Sequence, residues 1–92
     1  MTTDIAATLT ERGQRYGSFI GHAEVTQDLK GCITAHLVAR SKVLAADQQE
    51  ALDMIAHKIG RIINGDPDYP DSWLDIAGYA QLVFDRLNGV ER

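Results

Sequence analysis

Cysteine, proline and strand-like patterning are what this sequence has least of. One cysteine in 92 residues excludes an internal disulfide, and with no Cys-x-x-Cys or His/Cys cluster there is nothing to ligate a structural zinc. Cys32 lies in an apolar-rich stretch and reads as a small core residue. No apolar run approaches the ~20 residues that cross a bilayer, so no membrane partner is expected. The start, Met1-Thr2-Thr3-Asp4, lacks the basic residues and apolar stretch of a secretory signal, which makes the cytoplasm the expected compartment. The charge balance is 9 Lys+Arg against 13 Asp+Glu, formally -4. A mildly acidic chain is a poor candidate for non-specific binding to duplex nucleic acid, where phosphate neutralisation needs clustered Lys and Arg, so no duplex partner is expected. Dinucleotide, P-loop and nucleophile-elbow fingerprints are all missing.

What remains is an ordinary globular composition, 45% hydrophobic and 24% charged, in a chain long enough for one small domain over residues 1–92. A domain this small buries only about 60% of its unfolded surface, so without disulfide or zinc either its helices pack very well or it oligomerises, and oligomerisation is the favoured expectation. β-Branched residues never alternate with polar ones for long, and the pattern predicts an all-α, four-helix bundle-like fold. The expected helices cover about 4–15, 22–39, 47–64 and 70–87. Thr3 or Asp4 caps the first, and Tyr16-Gly17-Ser18-Phe19 breaks it. Residues 41–46 form a joint of open shape. Asp47 is placed to cap the third helix, with Glu50 in a capping-box relation. Leu52, Ile55, Ala56, Ile59, Ile62 and Ile63 share one side of that helix, opposite Glu50, Asp53, His57, Arg61 and Asn64. Both prolines fall in Asn64-Gly65-Asp66-Pro67-Asp68-Tyr69-Pro70-Asp71, which stops the third helix and starts the fourth as its antiparallel neighbour. Trp73, Ile76, Ala77, Ala80, Val83, Phe84 and Leu87 form the fourth helix's apolar face, with Trp73 at core or interface, and Asn88-Gly89 ends it.

One constellation carries chemistry. Glu50 and Asp53, three apart, and Asp71 and Asp75, four apart, each place two carboxylates on one side of a helix. If the two sides converge, these acids can hold Mg2+ through hard oxygen ligands, with Asp53 and Asp75 as the catalytic pair. If they do not, they are caps, dipole partners or solvated groups. Lys58 and Arg61 are placed to meet phosphates or to pair with nearby acids. His57, on the polar side, is a base, a ligand contact or a solvated residue. Tyr79 is a base-stacking or packing residue. The segment Glu11 to Phe19 combines Arg12, Arg15, Tyr16 and Phe19 with two glycines, which suits close approach to phosphates and stacking on bases.

The stretches Glu50–Pro67 and Asp71-Ser-Trp-Leu-Asp-Ile-Ala-Gly-Tyr-Ala, with Arg15-Tyr16-Gly17 upstream, resemble a group of small phage and prophage proteins. That group is similar to the nucleotide-modification-associated phage domains and, more distantly, to the MazG-like all-α nucleoside triphosphate pyrophosphohydrolases. The resemblance spans roughly residues 11–87. It implies a helical, oligomeric fold that binds a nucleotide through Mg2+ held by acidic motifs on two successive helices. Glu50 and Asp53 match the first motif; Asp71 and Asp75 stand in place of the second. The pattern departs from the enzymes in an Asp for the second acid, in a spacing of four for the second motif, and in the earlier acidic pair, for which only Glu24 and Asp28 offer themselves. Three functions follow as expectations. The chain sequesters a nucleotide signal of host defence; it is a Mg2+-dependent pyrophosphohydrolase; or it is a helical homo-oligomeric interaction module.

Overall fold

The computed structural model describes residues 4–92 and contains four helices and, among those residues, no strand. They are α1 (Ile5–Tyr16), α2 (Phe19–Ala39), α3 (Ala46–Asn64) and α4 (Pro70–Leu87). The all-α, four-helix expectation holds. Among the described residues no helix is long and apolar enough to cross a membrane.

Local chemistry explains the boundaries. Asp4 caps α1, its Oδ1 accepting from the Ala7 N–H at 3.0 Å; the alternative cap, Thr3, lies outside the described residues. The expected break at 16–19 is tighter than the sequence suggested. Ser18 Oγ accepts from the Gly21 N–H and restarts the helix at Phe19, three residues before the expected His22. At its far end α2 closes in a Schellman turn: Lys42 N–H bonds to Leu37 O and Ser41 N–H to Val38 O, with Ser41 left-handed at φ 49°. The α2–α3 joint is therefore not helical. Asp47 does not cap α3. The N-cap is Ala45, whose N–H donates to Gln48 Oε1 at 2.9 Å, and Asp47 instead accepts two bonds from Arg86, at 2.6 and 2.7 Å. Pro70 opens α4 as expected.

Helix α3 is the spine. Asp47 meets Arg86 and Lys58 meets Asp75, so α4 runs antiparallel to it. On another side, Asn64 reaches the start of α2 and His57 reaches His22, so α2 is antiparallel too. Gly60 makes that second approach close: a Cβ there would collide with Thr26 Oγ1 and crowd the His22 ring. Among the described residues α2 and α4 do not touch, so the helices form an open layer around α3 and not a closed bundle.

Openness shows in the dimensions. The radius of gyration is 15.6 Å, against about 12 Å for a compact 92-residue domain. The only buried hydrophobic side chains among the described residues are Ala51 and Ala56. Trp73, Phe84 and Leu87, expected on a covered face, are more than half exposed, and Cys32 is exposed and not a core residue. The Trp73 indole N–H donates to Pro67 O at 2.8 Å, fixing the ring over the joint.

Candidate functional site

The end of α1, the C-terminal turn of α3 and the joint before α4 meet at one place. Gly17 makes the turn between α1 and α2 with φ 77°, and a Cβ there would collide with the backbone oxygen of Asn64. Asn64 then clamps the turn, its Nδ2 donating to Tyr16 O at 2.9 Å and to Ser18 O at 2.8 Å. Asp66 N–H adds a backbone bond to Arg15 O at 2.9 Å. These bonds hold the Arg15-Tyr16-Gly17 segment against the end of α3.

Two arginine–tyrosine stacks are built on that clamp. The Arg61 guanidinium lies 4.2 Å over the Tyr16 ring and Arg15 lies 4.4 Å over the Tyr69 ring. Arg15 Nη1 also donates to Tyr69 Oη at 3.2 Å, and the Tyr69 hydroxyl donates to Asp71 at 3.0 Å. That bond to a carboxylate raises the Tyr69 phenol above its ordinary value, so the ring stays neutral and polarised between arginine and aspartate. Tyr16 and Tyr69 pack edge to face, with centroids 6.1 Å apart.

The rim of this assembly encloses a polar recess of about 300 Å³ lined by Thr8, Glu11, Arg12, Arg15, Tyr16 and Arg61. Three arginines and one glutamate give it a net positive charge in a chain that is negative overall. Glu11 faces Arg15 at 3.7 Å, while Arg12 and Arg61 have no ion-pair partner among the described residues. Guanidinium groups that are charged, partly stacked and unpaired are suited to donate to phosphate oxygens in bidentate fashion.

Four of the sequence-expected ligand residues, Arg12, Arg15, Tyr16 and Arg61, thus come together. The other four do not join them. Phe19 is exposed on the first turn of α2. Lys58 is buried between α3 and α4 and pairs with Asp75 at 2.9 Å. Tyr79 lines an apolar hollow with Leu82, Val83 and Arg86. His57, expected on the polar side as a base, a ligand contact or a solvated residue, is half-buried against α2, its Nδ1 3.2 Å from Nε2 of the buried His22. Burial and then the positive charge of Arg61 lower the His22 imidazole. The same two causes, joined by His22, Lys58 and Lys30, push His57 down to about 4. Both rings are neutral at pH 7, and one donates its N–H to the other.

The four carboxylates do not gather around one point of the protomer. Asp53 accepts from Gln49 at 3.1 Å, Asp71 from Tyr69, and Asp75 pairs with Lys58, while Glu50 borders the apolar hollow. No group of three or more His, Cys, Asp or Glu side chains is placed to hold a metal among the described residues. The acids of one chain therefore do not fit a Mg2+ centre.

Tyr69 and Asn64 were not singled out from the sequence. Tyr69 sits in the joint, and only the chain path shows that it folds back on Arg15. Comparison with protein-family models, with curated proteins and with solved structures finds no match to this chain.

Proposed function

We propose that this chain binds a nucleotide through its phosphates and holds it without turning it over. The observation that carries this reading is the arginine recess, where Arg12, Arg15 and Arg61 converge with Tyr16 on one polar hollow. Arginines supply charge-assisted hydrogen bonds to phosphate oxygens. Tyr16, covered by Arg61 on one face, offers an aromatic contact for a base or sugar beside them. The resemblance of Arg15-Tyr16-Gly17 and of the Asp71–Ala80 stretch to small phage proteins supports a role in sequestering a nucleotide signal of host defence, such as a cyclic oligonucleotide messenger.

Mg2+-dependent hydrolysis draws less support. That chemistry requires convergent carboxylates, and Asp53 and Asp75 are each engaged by a separate neighbour on its own side of α3.

Calorimetry with linear nucleotides and cyclic oligonucleotides in EDTA tests the proposal. Binding is expected without metal, and Arg61→Ala or Arg12→Ala should weaken it about tenfold or more, the value of one charge-assisted bond. A panel with no binder in EDTA, or binding indifferent to both arginines, overturns it. Metal-dependent pyrophosphate release lost in Asp75→Ala would establish the hydrolase instead.

A further inference from the structure

A charge-free apolar seam runs the length of α4. Trp73, Ala77, Ala80, Phe84 and Leu87 recur at alternating spacings of four and three, the spacing of a helix–helix seam. Every one of them is exposed, Trp73 at 55%, Phe84 at 61% and Leu87 at 60%. The side of α4 that meets α3 carries Ser72, Asp75, Ile76, Tyr79, Val83 and Arg86, so the seam lies beside the packed side and is not part of it. On α3, Leu52 and Ile63 are likewise exposed. At ~100° per residue they sit a quarter to a third of a turn from the α4-facing side of α3, and the seam sits a similar offset from the α3-facing side of α4. The two helices are antiparallel, so offsets of the same sense bring both to one side of the pair. The result is one continuous apolar face. By the same measure Arg61 points to the opposite side of α3.

We propose that this α3–α4 face is where a second copy of the chain docks, α4 against α4, about a two-fold axis near Ala80. Area, symmetry and charge argue for a copy as the occupant. The whole chain exposes 6696 Å², about 1,400 Å² more than the roughly 5,300 Å² of a compact monomer of its mass, an excess to which exposed residues of α1 and α2 such as Ile5, Leu9 and Phe19 contribute alongside this face. An obligate homodimer buries about that much per subunit. The seam is also complementary to itself when reversed. With Ala80 against Ala80, the small Ala77 of each copy faces Phe84 of the other, and Trp73 faces Leu87. Small residues at the centre let the helices approach, and large ones close the ends. An isologous interface requires this self-match. The absence of charge along the seam, in a chain that is 24% charged, is what the core of a protein–protein contact shows. The arginine recess stays open on the far side, so assembly and ligand binding fail separately.

The test is a site-directed cross-link together with a mass measurement. In a Cys32→Ser background, Ala80→Cys should form a disulfide-linked dimer about tenfold or more faster than Leu74→Cys, because the docked copy supplies a high effective concentration. Leu74 is also exposed but off the seam. Sedimentation at micromolar concentration should give a mass of two or more 10.1 kDa chains for the unmodified protein and of one chain for Ala80→Glu. A single-chain mass for the unmodified protein overturns the proposal. So does Ala80→Glu assembling like the wild type, or equal cross-linking at positions 80 and 74. If Ala80→Glu also loses its helix signal, the cross-linking comparison decides.

Discussion

At the level of single residues, Asn64 and the two histidines do more than their positions in the sequence announce. Asn64 reads as a helix stop, which it is, yet its amide also carries the turn that presents Arg15 and Tyr16. Asn64→Ala removes both bonds and leaves two carbonyls without that donor, a loss of about 1–3 kcal/mol on urea unfolding. Because the turn carries the recess, nucleotide affinity should fall in the same variant. His22 and His57 give a pH dependence whose sign is fixed. Their folded-state values lie below the ordinary 6.5, so the unfolded chain takes up protons first as pH falls. Their contribution is complete above about pH 6.5 and is lost as pH drops toward the folded value of His57, about 4. The thermal midpoint should therefore decline from pH 7 to pH 4, and His57→Gln should flatten the upper part of that decline. An equal slope in His57→Gln would show that other groups set it. Nothing in the sequence pairs these rings. His57 has helix periodicity that assigns it to a polar side, and only the path of α2 turns that side inward.

At the level of elements, the helices were legible because their punctuation is local. Pro70 at a first turn, Asn64-Gly65 and Asn88-Gly89 as stops, and Asp4 as a cap each act within a few residues. Two positions differ from the expectation, one for a local reason and one for a long-range reason. Ser18 reads in the sequence as part of a break, and its hydroxyl restarts the chain as α2. Asp47 had the type and position of a cap, but a long-range partner, Arg86, claims it. That pair holds the start of α3 to the end of α4. Both side chains are somewhat more than a third exposed, so a double-mutant cycle of Asp47→Asn with Arg86→Ala should return a small coupling that added salt weakens further. The Schellman turn after α2 offers the opposite kind of change. Ser41 is held at φ 49°, a conformation that glycine adopts without penalty, so Ser41→Gly should raise stability by about 1 kcal/mol in urea unfolding. No change there would mean that solution relaxes the turn.

At the level of the whole molecule, the decisive quantity is how little the protomer buries. Periodicity told correctly which residues of α3 and α4 share an apolar side, but not whether a neighbour in the same chain covers it. Single helices cannot encode that, because an internal partner and a partner in another copy require the same spacing. The covered sides turned out to hold Ala51, Ala56, Lys58 and Ser72, while the large side chains stayed outside. A chain with so few buried apolar groups has little to set against the conformational entropy of ordering its backbone, about 1–2 kcal/mol per residue. On the proposed docking, much of its stability comes from surface removed between copies. Mass action makes that visible: when folding and association are linked, the thermal midpoint rises with protein concentration. A dilution series should shift the midpoint upward by several degrees for each tenfold increase, since each such step is worth about 1.4 kcal/mol per association event and about 1 kcal/mol moves a domain of this size by ~4–8 °C. Ala80→Glu should lie below the wild type at every concentration and show no slope. A wild-type midpoint that is flat across the series would mean that the open layer holds itself up alone, and the apolar face would then need a different explanation from the one its area and symmetry provide.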